Sequence, residues 1–215
     1  MNNRHTVEGA QATHRVGVLG GTFDPIHIGH LLIAEEARSR LCLDRVVFVP
    51  ARISPLKQDD GTLFSDEERY AMIRAAIADN AAFAISRVDL DRPAPSFTVD
   101  TLRLLRQEMG EQHSYFFIMG ADSLDTLARW RRPEEIIRQA RLVVVSRPGF
   151  RPDLTYLEAR IPGISAATDV LEGLMMDVSS TEIRRRLATG YSIRYQVPEP
   201  VRALVEARGT GSASN

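Results

Sequence analysis

Three short runs, Arg45 to Pro50 (RVVFVP), Ser114 to Met119 (SYFFIM) and Leu142 to Ser146 (LVVVS), are apolar almost without a break. A strand with one wet face alternates apolar and polar residues. These runs do not alternate, so both of their faces must be covered. Before and between them lie segments with helical spacing. Ile28 to Leu41, Ser65 to Ala78 and Thr98 to Met109 are three, the last with Leu102, Leu105 and Met109 on one face. Ser65 can cap, with Glu68 three residues on, and Ser179 with Glu182 repeats the pattern at the start of a helix to Leu187. Pro133 opens another helix at its first turn. A last helix is expected from Pro200 to Arg208. Arg15 to Gly21 adds a glycine-ended strand, Phe83 to Leu90 a third strand, and Leu174 to Val178 a sixth. The alternation predicts an α/β fold, a doubly wound parallel sheet with helices on both faces. Ligands of such sheets sit beyond the carboxyl ends of the strands, so the chemistry is to be sought there.

The length of 215 residues suits one such domain. We expect a flexible polar extension over residues 1–14, a single domain over 15–208, and a flexible tail over 209–215. The formal net charge of −1 leaves no basic field for nucleic acid, so an anionic ligand must be held by local groups. No apolar stretch is long enough to span a membrane. The single cysteine, Cys42, excludes an intrachain disulfide and suits a reducing cytoplasm. It reads as a small packed apolar residue.

The most unusual stretch follows the first strand: LGGTFDPIHIGH, residues 19 to 30. Gly20 and Gly21 are expected to let the chain turn sharply and to leave N–H groups uncovered. A helix starting near Ile28 has unpartnered N–H groups and a partial positive charge at its N-terminus, which suits phosphate. His27 and His30 can share one face there, and Gly29 leaves room for a ligand. Two imidazoles, each donating through one nitrogen, can follow the charge on a reacting phosphate. Two histidines can also bind metal, but no third ligand stands at helpful spacing. The dinucleotide pattern GxGxxG and the P-loop ending GK[ST] are both missing. Asp24 reads as a turn residue holding the loop.

GGTFDPIHIGH resembles the signature of the HxGH nucleotidyltransferases, and in particular the bacterial nicotinate-nucleotide adenylyltransferase family. VPARISPLK, PSFTVDTL, GADSLDTLARW, VVVSRPG and VSSTEIRRRL are similar to that family's successive motifs, in order, over roughly residues 15 to 190. The HxGH element is shared with pantetheine-phosphate adenylyltransferase. The GADSL…W and PSFTVDTL elements narrow the match. The resemblance implies a Rossmann-like sheet of nucleotidyltransferase type. It also implies adenylyl transfer from ATP to nicotinate mononucleotide, giving deamido-NAD and pyrophosphate without a covalent enzyme intermediate. ATP and the mononucleotide are the expected partners. Magnesium is expected to come with the ATP phosphates rather than from a protein metal site. A homo-oligomer is left open.

Under the resemblance, His27, His30 and Arg184 are the catalytic candidates. Gly20, Gly21, Thr22, Phe23, Gly29, Gly120, Asp122, Arg147, Ser179, Ser180 and Thr181 are the ATP-binding candidates. Lys57, Thr98, Trp130 and Arg131 are the candidates for the mononucleotide, with Trp130 stacking on the pyridine ring. A tryptophan is commonly core, but this one lies between a polar stretch and Arg131-Arg132-Pro133. Arg184 is placed in the second turn of its helix, where a guanidinium fork suits the leaving pyrophosphate, while Arg185 and Arg186 read as solvated. Leu56 stands where many members carry histidine, leaving Arg52 as an alternative contact, and Phe97 stands for a common tyrosine. Pantetheine-phosphate adenylyltransferase and a non-catalytic nucleotide sensor of the same fold are the competing readings.

Overall fold

The computed structural model describes residues 13–53, 61–146, 149, 152–173 and 176–211. In chain order the elements are β1 (Arg15–Gly21), α1 (Ile28–Arg40), β2 (Arg45–Pro50), α2 (Asp66–Ala76), β3 (Phe83–Ile85), α3 (Thr98–Met109) and β4 (Ser114–Gly120). There follow α4 (Ala121–Leu124), a 3-10 turn (Leu127–Arg129), α5 (Pro133–Gln139), β5 (Arg141–Ser146), α6 (Thr155–Glu158), α7 (Ile164–Ala167), β6 (Thr168–Glu172), α8 (Ser180–Ala188) and α9 (Glu199–Gly211). The strands form one sheet in the order β3-β2-β1-β4-β5-β6, with every neighbouring pair parallel. The chain winds outward from β1 to β3 and then restarts on β1's other side with β4. That reversal leaves a crevice beyond the carboxyl ends of β1 and β4.

Both faces of the sheet are buried, as the unbroken apolar runs require. Val46, Phe48, Phe116, Ile118, Val143 and Val145 face one core, closed by residues of α1, α2, α8 and α9. Val47, Val49, Phe117, Met119, Leu142 and Val144 face the other, closed by α3, α5, α6 and α7. Gly17 lets Leu43, Ile118 and Val46 close over β1, since a methyl there would meet them at 2.9–3.1 Å. The capping box of α2 forms in both directions. Ser65 Oγ accepts from the Glu68 N–H at 3.3 Å, and the Ser65 N–H donates to Glu68 Oε2 at 2.7 Å. Three acidic residues in the first turn of α2 suit the positive end of its dipole. No helix among the described residues is long and apolar enough to cross a membrane.

The structure departs from the sequence expectations in several places. The sixth strand is Thr168–Glu172, not 174–178. Its residues are half-buried or exposed because it is an edge strand, so it lacks the unbroken apolar run that marks β2 or β5. The third strand, the opposite edge, stops at Ile85, and the next residues turn. Ser179 caps α8, but the reciprocal bond is missing because the Glu182 carboxylate pairs with Arg185 at 2.7 Å. α9 runs to Gly211 rather than Arg208. Cys42 is exposed, not packed, and has a left-handed backbone (φ 50°) in the turn from α1 to β2.

Candidate active site

The turn after β1 is built differently from its expected form. Gly20 and Gly21 are strand residues paired with Val49 and Pro50 of β2. The left-handed residue is Phe23 (φ 49°), an uncommon conformation for a bulky side chain. Phe23 is buried, and its ring folds back over Gly21, where a methyl would meet it at 3.1–3.3 Å. Gly21 is thus required for a close approach. The other edge of Phe23 supports His30, with ring centroids 4.9 Å apart and planes at 72°. Thr22 is half-buried at the top of the turn.

His27 caps α1 with extended backbone and lies stacked on His30, ring centroids 3.7 Å apart. The main-chain N–H of His27 donates to His30 Nδ1 at 3.2 Å, which leaves the other nitrogen of His30 as its N–H donor. His27 Nδ1 is buried without a hydrogen-bond partner. Gly29 does not open a space for a ligand. A methyl there would sit 3.1 Å from His27 Nδ1, so the room is taken by the His27 ring itself. Burial holds the His27 imidazole down at about 4, against its ordinary 6.5, so it is neutral at pH 7.

That shift has a consequence for stability. Between pH 6.5 and 4 the unfolded chain takes up a proton that the folded chain refuses. Stability therefore falls as pH falls through this window, by up to roughly 3 kcal/mol from this group. Melting temperatures measured across it should decline less steeply for His27→Asn than for the parent chain. Equal slopes would show that His27 is not the group responsible.

Arg184 reaches this turn from the far end of the chain. Its Nη1 donates to the carbonyl of Asp24 at 2.9 Å and lies 3.4 Å from the Asp24 carboxylate. Asp24 is buried, and its carboxylate accepts from the N–H groups of Leu63 and Phe64, both at 2.9 Å. It holds the loop, as its sequence position suggests. Ser180 Oγ donates to the carbonyl of Pro25 at 2.9 Å, and Arg184 Nη2 reaches Thr181 Oγ1 at 3.4 Å. The Ile28 N–H donates to the carbonyl of Gln196 at 3.0 Å. The starts of α1 and α8 are thereby fastened together, with His27, His30, Thr22, Ser179, Ser180, Thr181 and Arg184 in one neighbourhood.

A second group gathers around Phe117 of β4, whose ring lies 3.6 Å from the Cβ position of Gly20. Trp130 stands edge-on to Phe117 at 6.0 Å and donates from Nε1 to Thr126 Oγ1 at 3.0 Å. It follows the 3-10 turn and is half-buried, so it is partly core and partly available as a surface. The guanidinium of Arg131 rests on the Phe97 ring at 4.6 Å, beside Thr98 at the start of α3. Thr98, Trp130 and Arg131 are brought together. Gly120 and Asp122 follow β4 directly. Asp122 is exposed and forms no hydrogen bond or ion pair among the described residues. Lys57 and Arg147, and with them Leu56, lie outside the described residues.

Sequence reasoning missed Arg69. Its side chain is fully buried, with Nη1 donating to the carbonyl of Thr22 and Nη2 to Asp66 at 2.6 Å. The signal was available: position 69 falls on the apolar face of α2 with Met72, Ile73 and Ala76. A basic residue on a buried face needs a partner inside the fold. Arg52 is tied down as well, to the carbonyl of Arg92 at 3.3 Å and near Asp66 at 3.5 Å.

Comparison with known proteins places the chain in a family. Residues 18–186 match the family model described as Cytidylyltransferase-like. A protein of Roseiflexus sp. (strain RS-1) named "Probable nicotinate-nucleotide adenylyltransferase" is 48% identical, covering 90% of this chain and 96% of its own. One of Exiguobacterium sibiricum with the same name is 46% identical, covering 89% and 96%. Among solved structures, the Plasmodium falciparum nicotinic acid mononucleotide adenylyltransferase complexed with NaAD superposes with a TM-score of 0.71 at 17% identity. It covers 91% of this chain and 96% of that one, a likeness of fold. Sheet order, paired imidazoles and family match together define a nucleotidyltransferase of the cytidylyltransferase-like class. Within that class, the chain belongs to the nicotinate-nucleotide adenylyltransferase family.

Proposed function

We propose that this chain transfers the adenylyl group of ATP to nicotinate mononucleotide, forming deamido-NAD and pyrophosphate as a step of NAD biosynthesis in the cytoplasm. The observation that carries the reading is the convergence of His27, His30 and Arg184 on one turn, inside a chain of this family. A phosphate oxygen of the mononucleotide attacks the α-phosphorus, one P–O bond forms, and the bond to the pyrophosphate breaks in line. The attacking oxygen is already ionised, so no strong base is needed. Such transfers depend on placement and on stabilising developing charge, and a covalent enzyme intermediate is not required.

His27 enters as a neutral imidazole. It serves as an N–H donor whose proton affinity rises when a triphosphate lies against it. His30, propped by Phe23, donates beside it. Arg184 presents a guanidinium already oriented by Asp24 and suited to the leaving pyrophosphate. Thr22, the glycine-ended β1 and the first turn of α8 line the ATP side. Thr98, Trp130 and Arg131 line the pyridine side, where the Arg131 charge favours a carboxylate over a carboxamide. A magnesium ion bound with ATP neutralises phosphate charge. Such an ion would be carried by the ATP phosphate oxygens: the two histidines offer it only nitrogen, and Asp122 is a single exposed carboxylate past β4.

A pyrophosphate-release assay with ATP and each of three acceptors tests the reading. Nicotinate mononucleotide should give the highest kcat/KM. Equal values for nicotinate and nicotinamide mononucleotide would remove the role given to Arg131. Turnover with 4′-phosphopantetheine alone would point to the pantetheine-phosphate enzyme. Tight ATP binding with no pyrophosphate from any acceptor would make the chain a nucleotide sensor.

A further inference from the structure

A buried polar network lies one layer behind the pyridine side, and no catalytic step uses it. Asp89 and Thr101 are buried, at 4% exposure each, and Arg92 is largely so. Thr101 Oγ1 lies 2.9 Å from both carboxylate oxygens of Asp89. Arg92 Nε donates to Asp89 at 2.8 Å. Its two terminal nitrogens reach the carbonyls of Pro95 at 3.4 Å and Phe97 at 3.3 Å. The Arg52 N–H donates to Ser96 Oγ at 3.1 Å, and the Ser96 N–H donates to the carbonyl of Ile53 at 3.0 Å. Residues 92–97 are therefore stitched on one side to the end of β2 and on the other to the first turns of α3.

The carbonyls that Arg92 takes belong to the segment ending in Phe97. Phe97 is where Arg131 rests, and Thr98 begins α3 immediately after it. Phe97 has no side-chain hydrogen bond with which to cap that helix. The fork of Arg92, held by Asp89, fixes the backbone leading into α3 through the Pro95 and Phe97 carbonyls. Burying a charged pair costs desolvation, and the cost is tolerable only with every group partnered, as here.

We infer that Asp89, Arg92 and Thr101 form a positioning brace that sets Phe97, Thr98 and Arg131 for the pyridine mononucleotide and leaves the ATP side untouched. This rests on the function proposed above. The residues touch no substrate; they act through the segment they hold.

The test uses the full chain with Thr101→Val, which keeps the shape and removes the hydroxyl, and Thr101→Ser, which restores it. Thr101→Val should raise the KM for nicotinate mononucleotide about tenfold with the KM for ATP within about twofold. Thr101→Ser should behave as the parent. Arg92→Lys, which keeps the charge and loses the fork, should show the same split and serves if the valine variant does not fold. Trp130 is the only tryptophan, so its fluorescence reports mononucleotide binding without turnover. Equal rises in both KM values, or no change in a variant that melts with the parent, would overturn the brace. If the mononucleotide perturbs Trp130 in no chain, the parent included, the proposed substrate is wrong instead, and the brace as a mononucleotide device falls with it.

Discussion

The His27→Ala enzyme is expected to turn over about 10²-fold or more slowly than the parent, with ATP affinity changed much less. The reason lies in what the ring is and where it sits. It is buried, neutral, stacked on His30 and wedged against Gly29, so it cannot swing aside to accommodate a ground-state ligand. Its value rises as negative charge gathers on the phosphates in the transition state. Loss of one fixed donor of this kind typically costs 10²–10³ in kcat. Single-turnover rates and ATP titrations on the same variant separate the two effects. Should binding and turnover fall in parallel, His27 would be an ordinary ground-state contact.

Arg69→Met should be the most damaging change away from the substrates. Methionine fills much of the space but donates to nothing, so the Thr22 carbonyl loses its partner. Leaving a buried acceptor unmet costs about 1–3 kcal/mol; Thr22 is only half-buried, but the bond lost is to a charged donor and the guanidinium itself is buried. Asp66 is one-third exposed and can rehydrate, which keeps the penalty below that of a sealed ion pair. For a chain of this size the melting temperature should fall by roughly 5–10 °C. Turnover should fall too, because the Thr22 turn carries the ATP-side groups. An unchanged melting temperature would show that the buried guanidinium contributes nothing net.

Residues whose neighbours are near in sequence were legible without coordinates. The two-faced strands, the Ser65–Glu68 box and the His27–His30 spacing all follow from local periods of two, three or four residues. The sixth strand was misplaced because an edge strand does not need a continuous apolar run. The role of the glycines was misjudged because a left-handed Phe23 is decided by the packing of its ring on Gly21 and His30, which no local preference announces. Arg69 stands out on the apolar face of α2, but the Thr22 carbonyl it meets is 47 residues away and leaves no mark on a sequence; nothing local shows that Asp89, Arg92 and Thr101 turn inward to one another. Cys42 was read as packed on its residue type alone, while its position in a turn exposes it.

The clasp between Arg184 and Asp24, with Gln196 closing on Ile28, spans nearly the whole polypeptide. A nascent chain leaving the ribosome exposes both imidazoles early, long before the guanidinium that completes the grip has been synthesised. Half-made copies thus carry the donors without the clamp. The joined starts of α1 and α8 are complete only once the chain has been made as far as Gln196.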